Sequence, residues 1–309
     1  TLEADYFWEK RSDILGQRGA TIPATVGASG GILPYENFEK VNNRGFELAL
    51  GYQKELGSRL TIRARLNVSR ARNTVIDIGE PADKADRIRQ AGKPLYSVFG
   101  YKALGLFQSA AEIQTAYGNN YPDLKPGDIH YADLNGDGKI DGSDMTYIGN
   151  TNLPENIYGF LATLNYKGFD FSMFWQGGSG NQQLFYNWMA KPFNQAGNAL
   201  NAHKDYWRAD NTGAKYPRIT TSSAWNYDNT SSFWLYNMRY VRLKNLEIAY
   251  SLPERWIKTI KAEKFRVYFN ASNLLTISPY KEVDPENTTG NGAYYPQQIV
   301  YNFGVQLGF

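Results

Sequence analysis

The sequence contains no cysteine. Disulfides, thiolate metal sites and cysteine nucleophiles are excluded together. Histidine is almost as scarce: His130 and His203 are the only two in 309 residues. They are too few for a histidine triad or a histidine-rich metal centre, and each is expected to be a surface or hydrogen-bonded residue rather than a catalyst. No apolar run approaches the roughly 18 residues of a membrane-spanning helix, and mean hydropathy is −0.52. Neither sign of charge is in excess, with 33 basic against 30 acidic residues and a formal net charge of +3. That is too balanced for the basic footprint of a nucleic-acid binder. Phosphate-loop, GxSxG and strand–GxGxxG–helix signatures are missing, and nothing singles out a glycosidase-like pair among the many carboxylates. No enzyme is expected. Thr1 opens directly into a strand-like segment without Met or a basic-plus-apolar leader, so the start reads as a cut or processed end.

Aromatic residues, by contrast, make up 15% of the chain. Such a load suits sugar-binding sheets, and equally barrels with aromatic girdles at both membrane interfaces. The dominant pattern is period 2, the signature of strands. At the C-terminus Tyr301, Phe303, Val305, Leu307 and Phe309 alternate with Asn302, Gly304, Gln306 and Gly308. The same rhythm predicts antiparallel strands at roughly 2–9, 44–54, 59–70, 157–166, 169–177, 238–250, 264–272 and 300–309. Within 238–250 the apolar parity changes between Leu243 and Leu246. A β-bulge near Asn245 or a one-residue error in the strand limits accounts for it equally well.

Connections between these strands run long, short, long, short. Residues 10–43, 70–156, 177–237 and 272–299 are long, whereas 54–58, 167–168 and 251–263 are short. Outer-membrane barrels sort their loops in this way, with short periplasmic turns and longer extracellular loops. Hydropathy windows miss such strands, because lipid-facing and lumen-facing residues alternate. The alternation assigns Phe46, Leu48, Leu50, Leu60, Ile62, Leu66, Phe303, Val305 and Leu307 to lipid. Arg63, Arg65, Asn67, Arg266 and Asn302 fall on the lumen side, for electrostatic packing or for contact with a plug or substrate.

The sharpest local motif is Asp133-Leu134-Asn135-Gly136-Asp137-Gly138-Lys139-Ile140-Asp141-Gly142-Ser143-Asp144, within an inserted segment at 128–150. Asp133, Asn135 and Asp137 match positions 1, 3 and 5 of an EF-hand-type calcium loop, Gly138 the tight turn at 6, and the Lys139 carbonyl position 7. Asp141 falls at 9 and Asp144 at 12, where Glu is usual. These spacings direct hard oxygens at one centre and point to a structural Ca²⁺. A polar turn with coincidental Asp and Asn is the other reading. Pro126-Gly127-Asp128 just upstream leaves no room for an EF-hand helix before the loop.

Several ordered segments resemble the C-terminal half of SusC/RagA-like TonB-dependent transporters. They are Asn43-Arg44-Gly45-Phe46-Glu47, Gly100-Tyr101-Lys102 with Gly105-Leu106-Phe107, and Gly127-Asp128 before the calcium-like loop. Tyr166-Lys167-Gly168-Phe169-Asp170, Tyr240-Val241-Arg242-Leu243-Lys244-Asn245-Leu246, Asn273-Leu274-Leu275, Asp284-Pro285-Glu286 and the terminal Gly304–Phe309 follow. Each is weak alone; the order is specific. The resemblance implies an all-β, transmembrane antiparallel β-barrel of the large plugged class. Residues 1–309 would supply roughly its C-terminal eight to ten strands without the plug. It also implies TonB-driven import of glycans or peptides across a Gram-negative outer membrane. The partners would be a SusD-like lipoprotein lid, the TonB complex, outer-membrane lipid and a plug-bearing N-terminal portion or companion chain, and the C-terminus would be periplasmic. A soluble, calcium-stabilised β-rich carbohydrate-binding module and a passive outer-membrane pore are the alternatives.

Overall fold

The computed structural model describes residues 1–18, 33–57, 59–220, 224–257, 262–287 and 289–309. The first strands are β1 (Leu2–Gly16), β2 (Glu36–Leu56) and β3 (Leu60–Asp77). Four short strands follow: β4 (Val98–Tyr101), β5 (Ala103–Leu106), β6 (Ile129–Tyr131) and β7 (Met145–Gly149), with helix α1 (Ala110–Tyr117) before β6. Then come β8 (Asn156–Tyr166), β9 (Phe169–Ser179), the short β10 (Gln182–Leu184), the helical turn α2 (Ala224–Tyr227) and the short β11 (Leu235–Asn237). The chain closes with β12 (Tyr240–Ser251), the turn α3 (Glu254–Ile257), β13 (Lys264–Ile277) and β14 (Val300–Gly308).

All eight strands expected from alternation are present, joined in one antiparallel sheet of order β1-β2-β3-β8-β9-β12-β13-β14. Among the described residues β1 and β14 are not paired with each other, so the sheet has two open edges. Four strands run further than the apolar pattern: 10–16, 36–43, 71–77 and 273–277 are strand rather than connection. Both faces turn polar in several of these stretches, as in Glu9-Lys10-Arg11-Ser12-Asp13. The backbone ladder continues there because its hydrogen bonds do not depend on side-chain polarity.

The strand ends joined by the long connections, 17–35, 78–155, 180–239 and 278–299, all lie at one end of the sheet, and those joined by the short ones, 57–59, 167–168 and 252–263, at the other. The tightest turn uses Lys167 at φ 47° and Gly168 at φ 86°. Two positive φ values form a type I′ turn, whose twist matches that of the flanking strands. The β-bulge on β12 is real. Leu243 pairs with Trp175 and Asn245 with the next residue back, Phe174, which leaves Lys244 as the extra residue. Alternation then resumes in the opposite parity, with Leu246 opposite Met173 and Ile248 opposite Phe171.

Pairing register shows that the sheet has two chemically distinct faces. One row runs Ile62–Leu164–Phe171–Ile248–Phe269–Phe303 across six strands. The neighbouring row on the other face runs Arg63–Thr163–Ser172–Glu247–Asn270–Asn302. Aromatics gather near both ends of the apolar face, with Tyr6, Trp8 and Tyr158 toward the long connections and Tyr166, Phe169 and Tyr250 toward the short ones. The apolar face is uncovered, with Leu50 and Phe303 49% and 82% exposed, and Arg63, Arg65 and Asn67 are exposed on the other.

The buried core therefore lies mainly outside the sheet, in the long connections. One cluster joins Ile129, Tyr131, Tyr216, Tyr227 and Trp234, a second joins Phe107, Ile113 and Tyr117, and a third joins Phe185, Met189, Met238 and Val283. Burying a large apolar side chain stabilises by about 1.5–3 kcal/mol. Clusters of this size hold long connections in order without much regular structure.

Candidate functional site

The polar face of the sheet and the loop layer at its long-connection end carry the candidate chemistry. On the polar face the five residues read as lumen-lining share a side but form two groups. Arg63 and Arg65 sit on β3, where their guanidinium Nε atoms donate to Gln53 at 3.2 Å and Asn67 at 3.3 Å. Further along the sheet Arg266 pairs with Glu247 at 2.5 Å and Asp170 at 3.7 Å, and Asn302 donates to Asn270 at 2.8 Å. Arg65, Asn67, Glu3, Asp5 and Glu47 border a hollow of about 330 Å³. Asp5 and Glu47 are direct cross-strand partners there, a like-charge opposition that stabilises nothing by itself. The face is not uniformly polar, since Leu161 and Phe174 pair on it beside Arg65.

At the rim, where β12 and β13 meet the loops, an ion cluster was missed by sequence reasoning, although both of its segments stood among the ordered motifs. Arg242 is buried, its side chain 3% exposed. It donates to Asp284 at 2.7 Å, to Thr276 Oγ1 at 2.8 Å and to Glu286. Lys244 Nζ lies 2.6 Å from Glu286, and the Tyr240 hydroxyl donates to it at 3.0 Å. The only sequence signal was charge complementarity between two short segments 42 residues apart, which alternation cannot read.

The loop at 133–144 follows β6, so a strand rather than a helix precedes it. Asp133 accepts from the backbone amides of Gly136 at 2.6 Å and Gly138 at 2.7 Å, and Asp137 from that of Lys139 at 2.8 Å. Desolvation opposes the Asp133 charge, but the amides of Gly138, Gly136, Asp137 and Asn135 hold its carboxyl below the usual carboxylate range. Asp144 is fully buried and accepts from Leu134 N at 2.7 Å and Asp141 N at 3.0 Å. Asp141 in turn caps the following turn through Ser143 N at 2.7 Å. The loop's carboxylates are thus engaged by its own amides. Among the described residues no three His, Asp or Glu side chains gather closely enough to hold a metal ion.

Helix α1 beside this loop was also missed, though Ser109-Ala110-Ala111-Glu112 carried the capping signal. Ser109 Oγ accepts from Glu112 N at 3.2 Å, and Glu112 returns to Gln108 N at 2.7 Å. Of the two histidines, His203 is hydrogen-bonded as expected, whereas His130 is held by stacking. The ring of His130 stacks on Phe107 at 4.3 Å, and burial lowers its pKa. Burial likewise lowers that of His203, which lies between Met189 O and Leu200 N at 3.2 Å each.

No protein-family model matches the chain. It is 29% identical to TonB-dependent receptor P3 of Formosa agariphila over 99% of its length, covering 30% of that protein. It is 26% identical to TonB-dependent receptor SusC of Bacteroides thetaiotaomicron, again over 99% of the chain and 30% of the relative. In structure the whole chain superposes on a third of a chain of the RagAB peptide transporter, with a TM-score of 0.71 at 20% identity. Against the RagAB peptide importer in its closed-closed state the TM-score is 0.67 at 21% identity, again over the whole chain and a third of that one. The chain spans a little under a third of the length of the curated relatives it matches. These relatives are named as receptors and transporters, not as enzymes. The resemblance carried by the ordered motifs holds: along its whole length this chain is similar to the SusC-like TonB-dependent receptors, and it has the antiparallel sheet fold found in the RagAB transporter.

Proposed function

We propose that this chain forms part of the barrel wall and outer mouth of a TonB-dependent importer in a Gram-negative outer membrane. The observation that carries the reading is the sheet itself, whose exposed apolar face crosses all eight strands behind a more polar one. An apolar face of this extent is unstable in water and suits lipid. A soluble carbohydrate-binding module would have to leave it wet. The open edges β1 and β14 pair with the remaining strands of a larger barrel, since unpaired edge groups in lipid cost several kcal/mol each. The long connections face outward and the short turns, with the C-terminus, face the periplasm. Arg63, Arg65, Asn67, Arg266 and Asn302 then line the lumen beside a plug.

The cargo class is glycans or peptides, taken up with a SusD-like lipoprotein over the mouth. Calcium on the 133–144 loop belongs to the same reading as a structural ion. It rests on the spacing of Asp133, Asn135, Asp137, Lys139, Asp141 and Asp144 and on the high calcium concentrations outside the cell.

The test is made on the full-length protein in its own bacterium. Deleting the gene should abolish uptake of labelled oligosaccharides or of labelled oligopeptides, and collapsing the proton motive force should do the same. Uptake that survives the collapse would establish a passive pore instead. Recovery of the protein in a soluble fraction would favour the binding module.

A further inference from the structure

We propose that the connection between β13 and β14, residues 278–299, is a strap that ties the loop layer to the sheet, with the Arg242 cluster as its releasable fastening. One end of the strap is held by charge. Asp284 and Glu286 carry two negative charges, and β12 answers with Arg242 and Lys244. Arg242 and Lys244 stand two residues apart on β12, the spacing that puts side chains on one face of a strand, and Glu286 touches both. Lys244 is also the extra residue of the bulge. Below the bulge the sheet recovers its apolar parity, so the cluster costs the lipid-type face nothing.

The other end is held by packing. Gly290 O accepts from Tyr186 N at 2.9 Å. A side chain at Gly290 would meet the Leu184 carbonyl, and one at Gly292 would lie 2.8 Å from the Met189 sulfur. Beside the charged end Val283 joins the buried cluster of Phe185, Met189 and Met238, with Tyr280 and Tyr294 against it. The same short run 184–190 therefore meets the strap in backbone hydrogen bonding, in close backbone approach and in core.

The two ends differ in what releases them. Removing one partner of a buried ion cluster leaves an uncompensated charge, which favours opening of the segment that carries it. A packed core instead moves as a unit, because interdigitated side chains separate together or not at all. Loss of the fastening should free 280–294 and 184–190 together, while the strands, held by their own ladders, stay paired. The loop layer above β12–β14 then has a defined hinge line at the bulge.

The measurement is amide hydrogen exchange on the full-length protein in lipid nanodiscs, for the parent, Arg242→Met and Glu286→Gln. In both variants the amides of 283–287 and of 185–190 should exchange about tenfold faster or more, with 264–274 and 300–308 unchanged. Glu286→Gln keeps the side-chain shape and leaves Asp284 on Arg242, so it serves if Arg242→Met fails to assemble. Acceleration confined to 283–287, no acceleration, or acceleration spread equally through the strands would each overturn the proposal.

Discussion

The ring of Phe7 on β1 lies over Gly45 on β2, its cross-strand partner, in the space that a side chain at Gly45 would fill. A Cβ built there would come within 2.5 Å of the Phe7 ring and would also strike the Arg70 carbonyl. The arrangement recurs where Tyr268 covers Gly304 and Tyr158 covers Gly177, each again a cross-strand pair. Gly45→Val should therefore destabilise the folded protein by about 1–3 kcal/mol through overpacking. The urea midpoint of folding into lipid vesicles measures this. A midpoint within error of the parent would show that the ring moves aside freely.

The two faces give opposite expectations for one substitution. Leu50→Arg places a charge on the exposed apolar face and should cost about 2–4 kcal/mol in lipid. Asn67→Arg, one row away on the polar face, should cost less than about 1 kcal/mol. Equal tolerance in the same vesicle assay would mean that lipid does not cover the Leu50 face.

His203 supplies a pH dependence whose sign follows from its bonds. Leu200 N donates to Nδ1, so the neutral ring must donate from Nε2 to Met189 O. Protonating Nδ1 destroys the first bond and charges a buried ring. The folded pKa lies below the unfolded value of about 6.5. The unfolded form thus binds the proton more readily. The contribution is complete above about pH 6.5 and is lost as pH falls from there through the folded value. Exchange at 187–204 should rise on acidification in that window in the parent. In His203→Gln it should not vary with pH beyond the intrinsic chemical rate.

Calcium binding is tested by substitution within the 133–144 loop. Titration into the full-length protein should show a site in the range of about 10⁻⁴–10⁻³ M, as for extracellular loops of this type. Asp137→Ala should remove it and leave strand content unchanged. Identical titrations for parent and Asp137→Ala would leave 133–144 as a turn held by its own amides, as Asp144 already holds Leu134 and Asp141.

Strand positions were legible because alternation is a local property: each residue of Phe265-Arg266-Val267-Tyr268 declares its face beside its neighbours. The change of parity at the Lys244 bulge was legible for the same reason, although one segment alone did not separate a bulge near Asn245 from a misplaced strand limit. Where both faces become polar, as in 9–13, the declaration ceases although the ladder goes on, and the strand ends could not be read. Helix α1 escaped because period-2 reading is blind to a capping box.

The sequence by itself determined which residues alternate, where the chain turns tightly, and that the long connections fall on one side. All of these depend on residues close together along the chain. Only the tertiary structure decided that the core lies in the loops, that Arg63 and Asn302 share one row of the sheet, and that Arg242 meets Asp284 and Glu286. Those facts join segments tens to hundreds of residues apart, through strand register, which is set by the whole ladder, and through the packing of the connections on one another.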